Sequence, residues 1–206
     1  MLNTDLDAGL AEMGLALPEE RRAALLAYLA LMAKWNKVYN LTAIRDQERM
    51  LSQHLLDSLA VLPHVYGEYI LDVGSGGGLP GIPIAIAMPE KKFILLDSNQ
   101  KKTTFLKQAA IELKLANVTV VCDRVENYQA EPKFDTIVSR AFSDLASFAR
   151  LASHLCAPNG IMLAMKGVYP HEEAAQLPAT IAIEKVIPLK VPMLEAERHL
   201  VVMRST

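Results

Sequence analysis

The sequence predicts an α/β protein built on a mostly parallel, doubly wound sheet of seven strands. Three observations predict it. Short apolar runs alternate with helical patterns from residue 69 onward, turn-forming residues separate them, and the last two runs, 181–189 and 199–204, are joined by a short connection. We expect that last pair to form an antiparallel hairpin. A helical extension is predicted over residues 1–66 and the sheet domain over residues 67–206, together forming a single structural unit.

The composition restricts the class of protein. The 206 residues suffice for one medium domain with a sizeable core, and no apolar run is as long as a membrane span although 51% of the residues are apolar. The first residues carry no basic cluster ahead of an apolar stretch, which argues against a signal peptide. We therefore expect a cytoplasmic protein, and we expect it to be monomeric.

The two cysteines, Cys122 and Cys156, have no metal-ligand spacing. We interpret both as buried thiols rather than as a zinc or redox site, and no metal site is predicted. The net charge of −2 argues against a free-standing polyanion binder. If nucleic acid is the substrate, a local basic patch must hold it.

Three helices are predicted before the first strand. A short amphipathic segment spans residues 2–15, and a firmer helix follows from Pro18, which suits a first helical turn. The apolar face of this helix repeats at helical spacing and is interpreted as core packing; its members are Leu25, Tyr28, Leu29, Met32 and Trp35. A third helix is predicted from about residue 46 to residue 62, ending at Pro63.

Three polar residues of this third helix, His54, Asp57 and Ser58, lie three and four positions apart and therefore share a face. Their spacing leaves two interpretations open. They form a hydrogen-bonded cluster that docks the helix on the sheet, or the helix closes over the ligand pocket.

The predicted elements of the sheet domain alternate regularly. Besides the hairpin, strands are expected at 69–73, 93–96, 118–122, 134–139 and 160–166. Helices are expected at 82–88, from the capping residue Ser98 to about residue 115, from Asp144 onward and, as a polar helix, at 170–177. The sequence Pro158-Asn-Gly is a turn signal that introduces the fifth strand.

A glycine-rich loop follows the first predicted strand. Gly74, Gly76 and Gly78 are free to take positive φ and carry no Cβ, so the main chain can approach a ligand closely at the carboxyl edge of the sheet. The second strand delivers Asp97 and Ser98 to the same edge, where a carboxylate suits the two hydroxyls of a ribose. The pattern predicts a nucleotide-like ligand.

The loop favours S-adenosylmethionine over a dinucleotide. A dinucleotide fingerprint has glycine or alanine in the sixth place from Gly74, where this chain has Leu79, and the next helix starts with Pro80 and Pro83. S-adenosylmethionine has no pyrophosphate to bind at a helix N-terminus, so the third glycine is not needed. Another nucleotide and a purely structural glycine turn are the alternatives. The predicted fold class is thus a Rossmann-like, class I S-adenosylmethionine-dependent methyltransferase.

Ligands of open α/β sheets bind outside the carboxyl ends of the strands, so the residues that follow each strand are candidates for the site. The third, fourth and fifth strands lead in turn to Asp123, Val125 and Glu126, to Arg140, and to Lys166 and Gly167. An acidic side chain of the first group suits the amino group of adenine, and Val125 suits the face of its ring. Arg140 and Lys166 are cations beside the predicted cofactor.

Absent residues narrow the reaction. The sequence has neither the Asn/Asp-Pro-Pro-aromatic loop of an amino-methyltransferase for adenine or cytosine nor the Pro-Cys nucleophile of a carbon-5 pyrimidine enzyme. No general base is evident at this edge. A ring nitrogen with an in-plane lone pair needs none, and catalysis would then consist mainly of positioning the acceptor in line with the methyl group.

Several motifs between residues 31 and 204 resemble those of the ribosomal RNA small-subunit methyltransferase G family, also called glucose-inhibited division protein B. They are Trp35-Asn36, Asn40-Leu-Thr42, His54-Leu-Leu-Asp-Ser-Leu59, Leu71-Asp-Val-Gly-Ser-Gly-Gly-Gly-Leu-Pro-Gly-Ile-Pro83, Arg124-Val-Glu126, Ser139-Arg-Ala-Phe142, Lys166-Gly167 and Glu197-Arg-His-Leu-Val201. Gln53 is a departure, because many relatives have arginine before the histidine, and it concerns the RNA contacts of that helix.

The resemblance implies methylation of N7 of one guanine in a loop of 16S ribosomal RNA, with S-adenosylmethionine as methyl donor. It implies cofactor contacts at Gly74, Leu79, Val125, Glu126 and Arg140, and Asp97 matches the ribose-binding acid by position. Gly76, Gly78 and Ser98 complete the predicted cofactor site.

The basic patch that such a substrate requires is predicted at Arg140, Lys166 and Arg198, which would position the RNA, with Lys101 and Lys102 further out. A solvated helix face is an equally good interpretation of the last two. The expected partner is 16S ribosomal RNA, within the small subunit or an assembly intermediate. A small-molecule methyltransferase and a non-catalytic, cofactor-binding module of the ribosome are the alternative functions.

Overall fold

Seven strands form one sheet. In a computed structural model that describes residues 2–140, 142 and 144–206, they are β1 (Tyr69–Val73), β2 (Lys92–Asp97), β3 (Val118–Cys122), β4 (Phe134–Ser139), β5 (Cys156–Lys166), β6 (Ile181–Pro188) and β7 (His199–Ser205). Their spatial order is β3-β2-β1-β4-β5-β7-β6. The first five strands are parallel, and β7 runs antiparallel between β5 and β6. The predicted doubly wound sheet with an antiparallel C-terminal pair is confirmed.

The helices lie before and between these strands. They are α1 (Leu2–Glu12), α2 (Glu19–Tyr39), α3 (Gln47–Met50), α4 (Asp57–Leu59), α5 (Gly81–Ala87), α6 (Gln100–Glu112) and α7 (Leu145–Ala152). A π-helical segment, Leu51–Leu56, joins α3 to α4. No helix among the described residues has both the length and the apolar character that crossing a membrane requires.

Two hydrophobic clusters cover the two faces of the sheet. Successive side chains of a strand point to opposite faces, and accordingly Ile70 of β1 belongs to the first cluster whereas Leu71 belongs to the second. The first cluster also contains Leu6 of α1 and Leu25 of α2, and the second contains Phe148 of α7. The helices that precede β1 therefore share a core with the sheet.

Three predicted elements were wrong in type or extent. The polar helix expected at 170–177 is reduced to a 3-10 turn, Ala174–Gln176, because that stretch has no continuous apolar face to pack. The third helix contains the π segment and ends at Leu59, and Pro63 lies within a separate 3-10 turn. β5 begins at Cys156, so Pro158-Asn-Gly lies within the strand, next to a shift in its register with β4.

Two residue assignments were also wrong. The N-cap of α6 is Asn99 rather than Ser98, since the Asn99 side chain accepts hydrogen bonds from the backbone N–H groups of Lys101 and Lys102. Cys122 is exposed, because it ends β3 at the edge of the sheet, while Cys156 is buried as predicted.

Candidate functional site

The glycine loop leaves β1 in a conformation that side chains disfavour. φ is +68° at Gly74, +57° at Gly76 and +92° at Gly78. Among the described residues, a Cβ at Gly76 would approach nothing more closely than the carbonyl oxygen of Gly74, at 3.8 Å, so no side chain of this part of the chain fills the bend. At Gly78 a Cβ would lie 2.6 Å from Ile82 and 3.0 Å from Leu106, so packing requires that glycine.

Hydrogen bonds to the side chains of Tyr28, Asp72 and Asp97 hold the loop. The hydroxyl of Tyr28 donates to the carbonyl oxygen of Gly77 at 2.5 Å, and burial raises the pKa of Tyr28 well above its usual value. Asp72 accepts from the backbone N–H of Gly81 at 2.9 Å, which ties β1 to the start of α5. The Asp72 carboxyl is fully buried, and this burial raises its pKa to about 7.

Asp97 closes the loop from the end of β2. One carboxylate oxygen accepts from the backbone N–H of Gly76 at 2.8 Å, and the other accepts from that of Asn99 at 2.8 Å. Each carboxylate oxygen has two acceptor sites. Asp97 therefore orders the bend and keeps acceptor capacity for the hydroxyls of a ligand.

A cavity of about 490 Å³ lies beside the bend, at the carboxyl edge of the sheet. Its volume is in the range of small-molecule sites. The candidate cofactor residues that line it are Gly74, Asp97, Ser98, Asp123, Val125 and Glu126. Gly76, Gly78 and Leu79 are not among its lining residues; Leu79 is buried and belongs to the first core cluster.

Six further lining residues had no predicted role in the cofactor site: Val73, Leu96, Lys102, Arg124, Phe142 and Leu151. Lys102 had been placed in an outer basic patch, whereas Lys101 is exposed outside this cavity. Phe142 belongs to the motif after β4, whose Ala141 lies outside the described residues. The position of Phe142 just after a strand could have identified it from the sequence as a lining residue. For Leu151, the corresponding feature is its place on the apolar face of α7.

A second cavity, of about 330 Å³, adjoins the end of β4. All three predicted substrate cations, Arg140, Lys166 and Arg198, line it. Arg140 is thus a residue of this cavity and not of the first, although the resemblance also implied a cofactor contact for it. Gln53, His54 and Asp57 complete much of the wall. The third helix therefore contributes side chains to a cavity, and Asp57 also bonds it to residues beside β4 and β7, so features of both interpretations are present.

The two arginines share one carboxylate. Asp57 lies 3.3 Å from Nη1 of Arg140 and 3.0 Å from Nε of Arg198, and its side chain is 3% exposed. Arg140 also donates to the carbonyl oxygen of Gln53 at 3.1 Å. Lys166, also in the wall of this cavity, pairs with Glu173 at 2.8 Å. The cations of the second cavity are therefore held in place before any substrate binds.

The π-helical segment sets the geometry of this wall. Such segments are rare, and they are frequent at functional sites; this one carries Gln53 and His54. The imidazole of His54 is hydrogen-bonded to the hydroxyl of Thr42 at 2.9 Å. Burial, and then the charge of Arg140, lower the pKa of His54 to about 4, so the ring is neutral at neutral pH. Ser58 is fully buried behind the wall.

Comparison with known proteins identifies the family of this chain. The model of the GidB family, rRNA small subunit methyltransferase G, matches residues 21–201. A relative from Laribacter hongkongensis named ribosomal RNA small subunit methyltransferase G is 62% identical over 97% of both chains. One of the same name from Chromobacterium violaceum is 59% identical over 96% of this chain and 95% of the relative.

A solved structure supports the fold. The O-methyltransferase from Bacillus cereus, determined in complex with SAH, superposes with a TM-score of 0.64 over 100% of both chains at 16% identity. At that identity the likeness establishes the class I methyltransferase fold. Because the family model covers most of the chain and close relatives match it along almost its whole length, the protein belongs to the GidB family, rRNA small subunit methyltransferase G.

Proposed function

We propose that the protein transfers a methyl group from S-adenosylmethionine to N7 of a specific guanine in 16S ribosomal RNA. The observation that carries this proposal is that residues following the parallel strands line two cavities, one beside an open glycine bend and the other lined by three cations. Membership of the rRNA methyltransferase G family supports the RNA substrate and does not favour a small-molecule acceptor or a non-catalytic module.

The first cavity fits the methyl donor. The bend at Gly76 has room for a ligand, and Asp97 next to it retains acceptor sites for ribose hydroxyls. We assign the adenine ring to the apolar side chain of Val125 and its amino group to Glu126, which lies at the cavity rim and pairs with Arg124 at 3.6 Å. Gly78 and Leu79 do not line the cavity and would contribute by supporting the glycine loop.

The second cavity would hold the acceptor base. RNA is read where a loop exposes its bases, and arginine is a suitable donor to O6 of guanine, which leaves the lone pair of N7 free to react. Arg140 and Arg198 would bind the base or its phosphates, with Lys166 on the other side. A local patch of this kind satisfies the need for cations in a chain whose net charge is −2.

The reaction requires the alignment of the methyl donor with guanine N7 and no proton transfer. Bound S-adenosylmethionine supplies a methyl group on a positively charged sulfur. The lone pair of guanine N7 forms the new N–C bond, the electrons of the S–C bond stay on sulfur, and the positive charge passes to the purine ring. Since no proton leaves N7, no general base is needed, and the residues of the two cavities contribute by aligning the two reactants.

We further propose that the chain acts as a monomer in the cytoplasm, on 16S ribosomal RNA within the small subunit or an assembly intermediate. The helices of residues 1–66 and the sheet domain of residues 67–206 would work as one unit, which their common hydrophobic cluster supports.

The deciding experiment presents the protein with small-subunit RNA that lacks the modification and with S-adenosylmethionine labelled in the methyl group. We expect one labelled guanine, and no label when that guanine is replaced by 7-deazaguanine, which has no N7. Naked RNA, isolated subunits and assembly intermediates compared in parallel identify the preferred acceptor. Cofactor binding without any label in RNA would overturn the proposal.

A further inference from the structure

A single buried carboxylate links the two arginines of the second cavity. Asp57 comes from α4, Arg140 follows β4, and Arg198 precedes β7, so three separate elements meet at this point. The side chains of Arg140 and Arg198 remain 27% and 24% exposed, respectively, while that of Asp57 is 3% exposed. All three residues line the cavity, and the carboxylate is the one that is almost completely covered.

This arrangement fixes the orientation of both guanidinium groups. One oxygen of Asp57 accepts from Arg198 Nε and the other from Arg140 Nη1, and the latter nitrogen also donates to the carbonyl oxygen of Gln53. A guanidinium has five N–H donors, more than these bonds use. The arginines are therefore immobilised and still able to bind a ligand.

Asp57 also sets the charge of the cavity. Arg140, Arg198 and Lys166 contribute three positive charges, and Asp57 and Glu173 contribute two negative ones. Methylation of N7 moves a positive charge onto the acceptor base. An unbalanced guanidinium beside that base would raise the energy of the transition state more than that of the bound, neutral base. A carboxylate shared by the arginines offsets this effect.

We propose that Asp57 is the positioning residue of the acceptor cavity: its carboxylate orients Arg140 and Arg198 and cancels one of their charges, so that positive charge can develop on the base. This inference rests on the proposed transfer to guanine N7. It assigns a role to the aspartate of the third helix beyond docking that helix on the sheet.

The central test compares Asp57→Asn with the unaltered protein in single-turnover methyl transfer to RNA. We expect the rate of transfer to fall at least about tenfold. We expect the Kd for RNA to stay equal or become smaller, because one negative charge near the phosphates is lost, and the Kd for S-adenosylmethionine to stay within about twofold, because Asp57 lies outside the first cavity. A purely structural defect would instead weaken RNA binding.

Two further variants separate charge from folding. Asp57→Glu keeps the charge and should recover part of the rate. Arg198→Gln combined with Asp57→Asn removes one charge of each sign, so the double variant should react no more slowly than Asp57→Asn alone and should fold even if the single variant does not. Glu184→Gln, which removes the carboxylate of an exposed pair with Arg204, is the matched control and should change neither rate nor affinity.

A direct readout that does not involve catalysis is the NMR signal of the Arg198 Nε–H group. We expect slow exchange of this proton with water in the unaltered protein and fast exchange in Asp57→Asn. Equal exchange, equal transfer rates, or a double variant that reacts more slowly than Asp57→Asn alone would overturn the positioning role while leaving the proposed function intact. If the unaltered protein binds S-adenosylmethionine but transfers no methyl group to RNA, both proposals fail.

Discussion

The hydroxyl of Tyr28, in α2, donates a hydrogen bond of 2.5 Å to the carbonyl oxygen of Gly77, in the middle of the glycine loop. Met32 of the same helix and Leu41 also pack against this glycine. A Cβ built on Gly77 would lie 3.4 Å from Met32 and 3.7 Å from Leu41. The helical extension thus forms the rear wall of the loop that lies beside the first cavity. Changes in α2 are therefore expected to reach the cofactor site.

We predict that Tyr28→Phe weakens both the fold and the binding of S-adenosylmethionine. The substitution leaves a buried carbonyl without its donor, which costs about 1–3 kcal/mol, and it frees the loop to move. Urea unfolding should show the loss of stability, and calorimetric titration should show a Kd several times larger. Tyr66→Phe, at a tyrosine that is 53% exposed, is the control and should change neither value. Unchanged cofactor affinity in Tyr28→Phe would contradict the link between α2 and the site.

Asp97→Ala should weaken cofactor binding much more than RNA binding. The carboxylate holds the N–H of Gly76 and is assigned to the ribose hydroxyls, so its removal leaves donors unpaired on both the loop and the ligand. We expect the Kd for S-adenosylmethionine to rise at least about tenfold, corresponding to 1.4 kcal/mol or more. Asp97→Asn keeps one acceptor oxygen, so its Kd for S-adenosylmethionine should lie between those of the unaltered protein and Asp97→Ala. Binding titrations that show equal losses for cofactor and RNA would remove Asp97 from the cofactor site.

Two glycines of the loop should respond to the same substitution in different ways. Alanine at either position is strained, since φ is positive at both Gly76 and Gly78. A Cβ at Gly78 would in addition collide with Ile82 and Leu106, whereas at Gly76 its nearest neighbour would be the carbonyl oxygen of Gly74, at 3.8 Å. Gly78→Ala should therefore destabilise the protein by about 1–3 kcal/mol more than Gly76→Ala does, because it overpacks the core.

Cofactor affinity provides the second readout for this pair. Gly76→Ala places a methyl group in the bend where the ligand is proposed to lie, so its loss of affinity should exceed its loss of stability. Thermal unfolding with and without S-adenosylmethionine measures both quantities on the same samples. Equal unfolding temperatures of the two variants without ligand would show that Gly78 is not required for packing.

The sequence was most informative where one local pattern determines one structure. The apolar run before Gly74 can only be a buried strand leaving into a tight turn, and Asp97 follows the next strand at the same edge; the structure has both. The failures have physical reasons as well. Ser98 and Asn99 are both good N-cap residues, and their order along the chain does not reveal which one turns into the helix.

The second cavity was harder to predict because tertiary packing creates it. The π-helical segment is only six residues long, too short for its wider turn to show as a separate apolar period, so the position of Gln53 and His54 in the wall was not visible. Arg140 and Arg198 were predicted to share a basic patch, but their meeting at Asp57 depends on α4, β4 and β7 coming together in three dimensions. Sequence spacing contains no information on such a contact.

Two buried groups, Asp72 and His54, should make the stability of the protein depend on pH in opposite directions. Burial raises the pKa of Asp72 from 3.8 to about 7, so its contribution to stability is present at low pH and is lost as the pH rises through 7. The pKa of His54 falls from 6.5 to about 4, chiefly through burial, so its contribution is present above pH 6.5 and is lost as the pH falls through 4. Between pH 4 and 6.5 the two effects offset each other.

Removing either group should reveal the other. Asp72→Asn keeps an acceptor for the N–H of Gly81. Its unfolding free energy, minus that of the unaltered protein, should rise by about 1.4 kcal/mol per pH unit from pH 4 to 6.5, so the variant gains relative stability as the pH rises. In His54→Gln the same difference should shift by a similar amount in the opposite direction. Urea unfolding at pH 4.5, 5.5 and 6.5 measures both slopes. Curves parallel to that of the unaltered protein would show that Asp72 is ionised, or His54 protonated, within the fold.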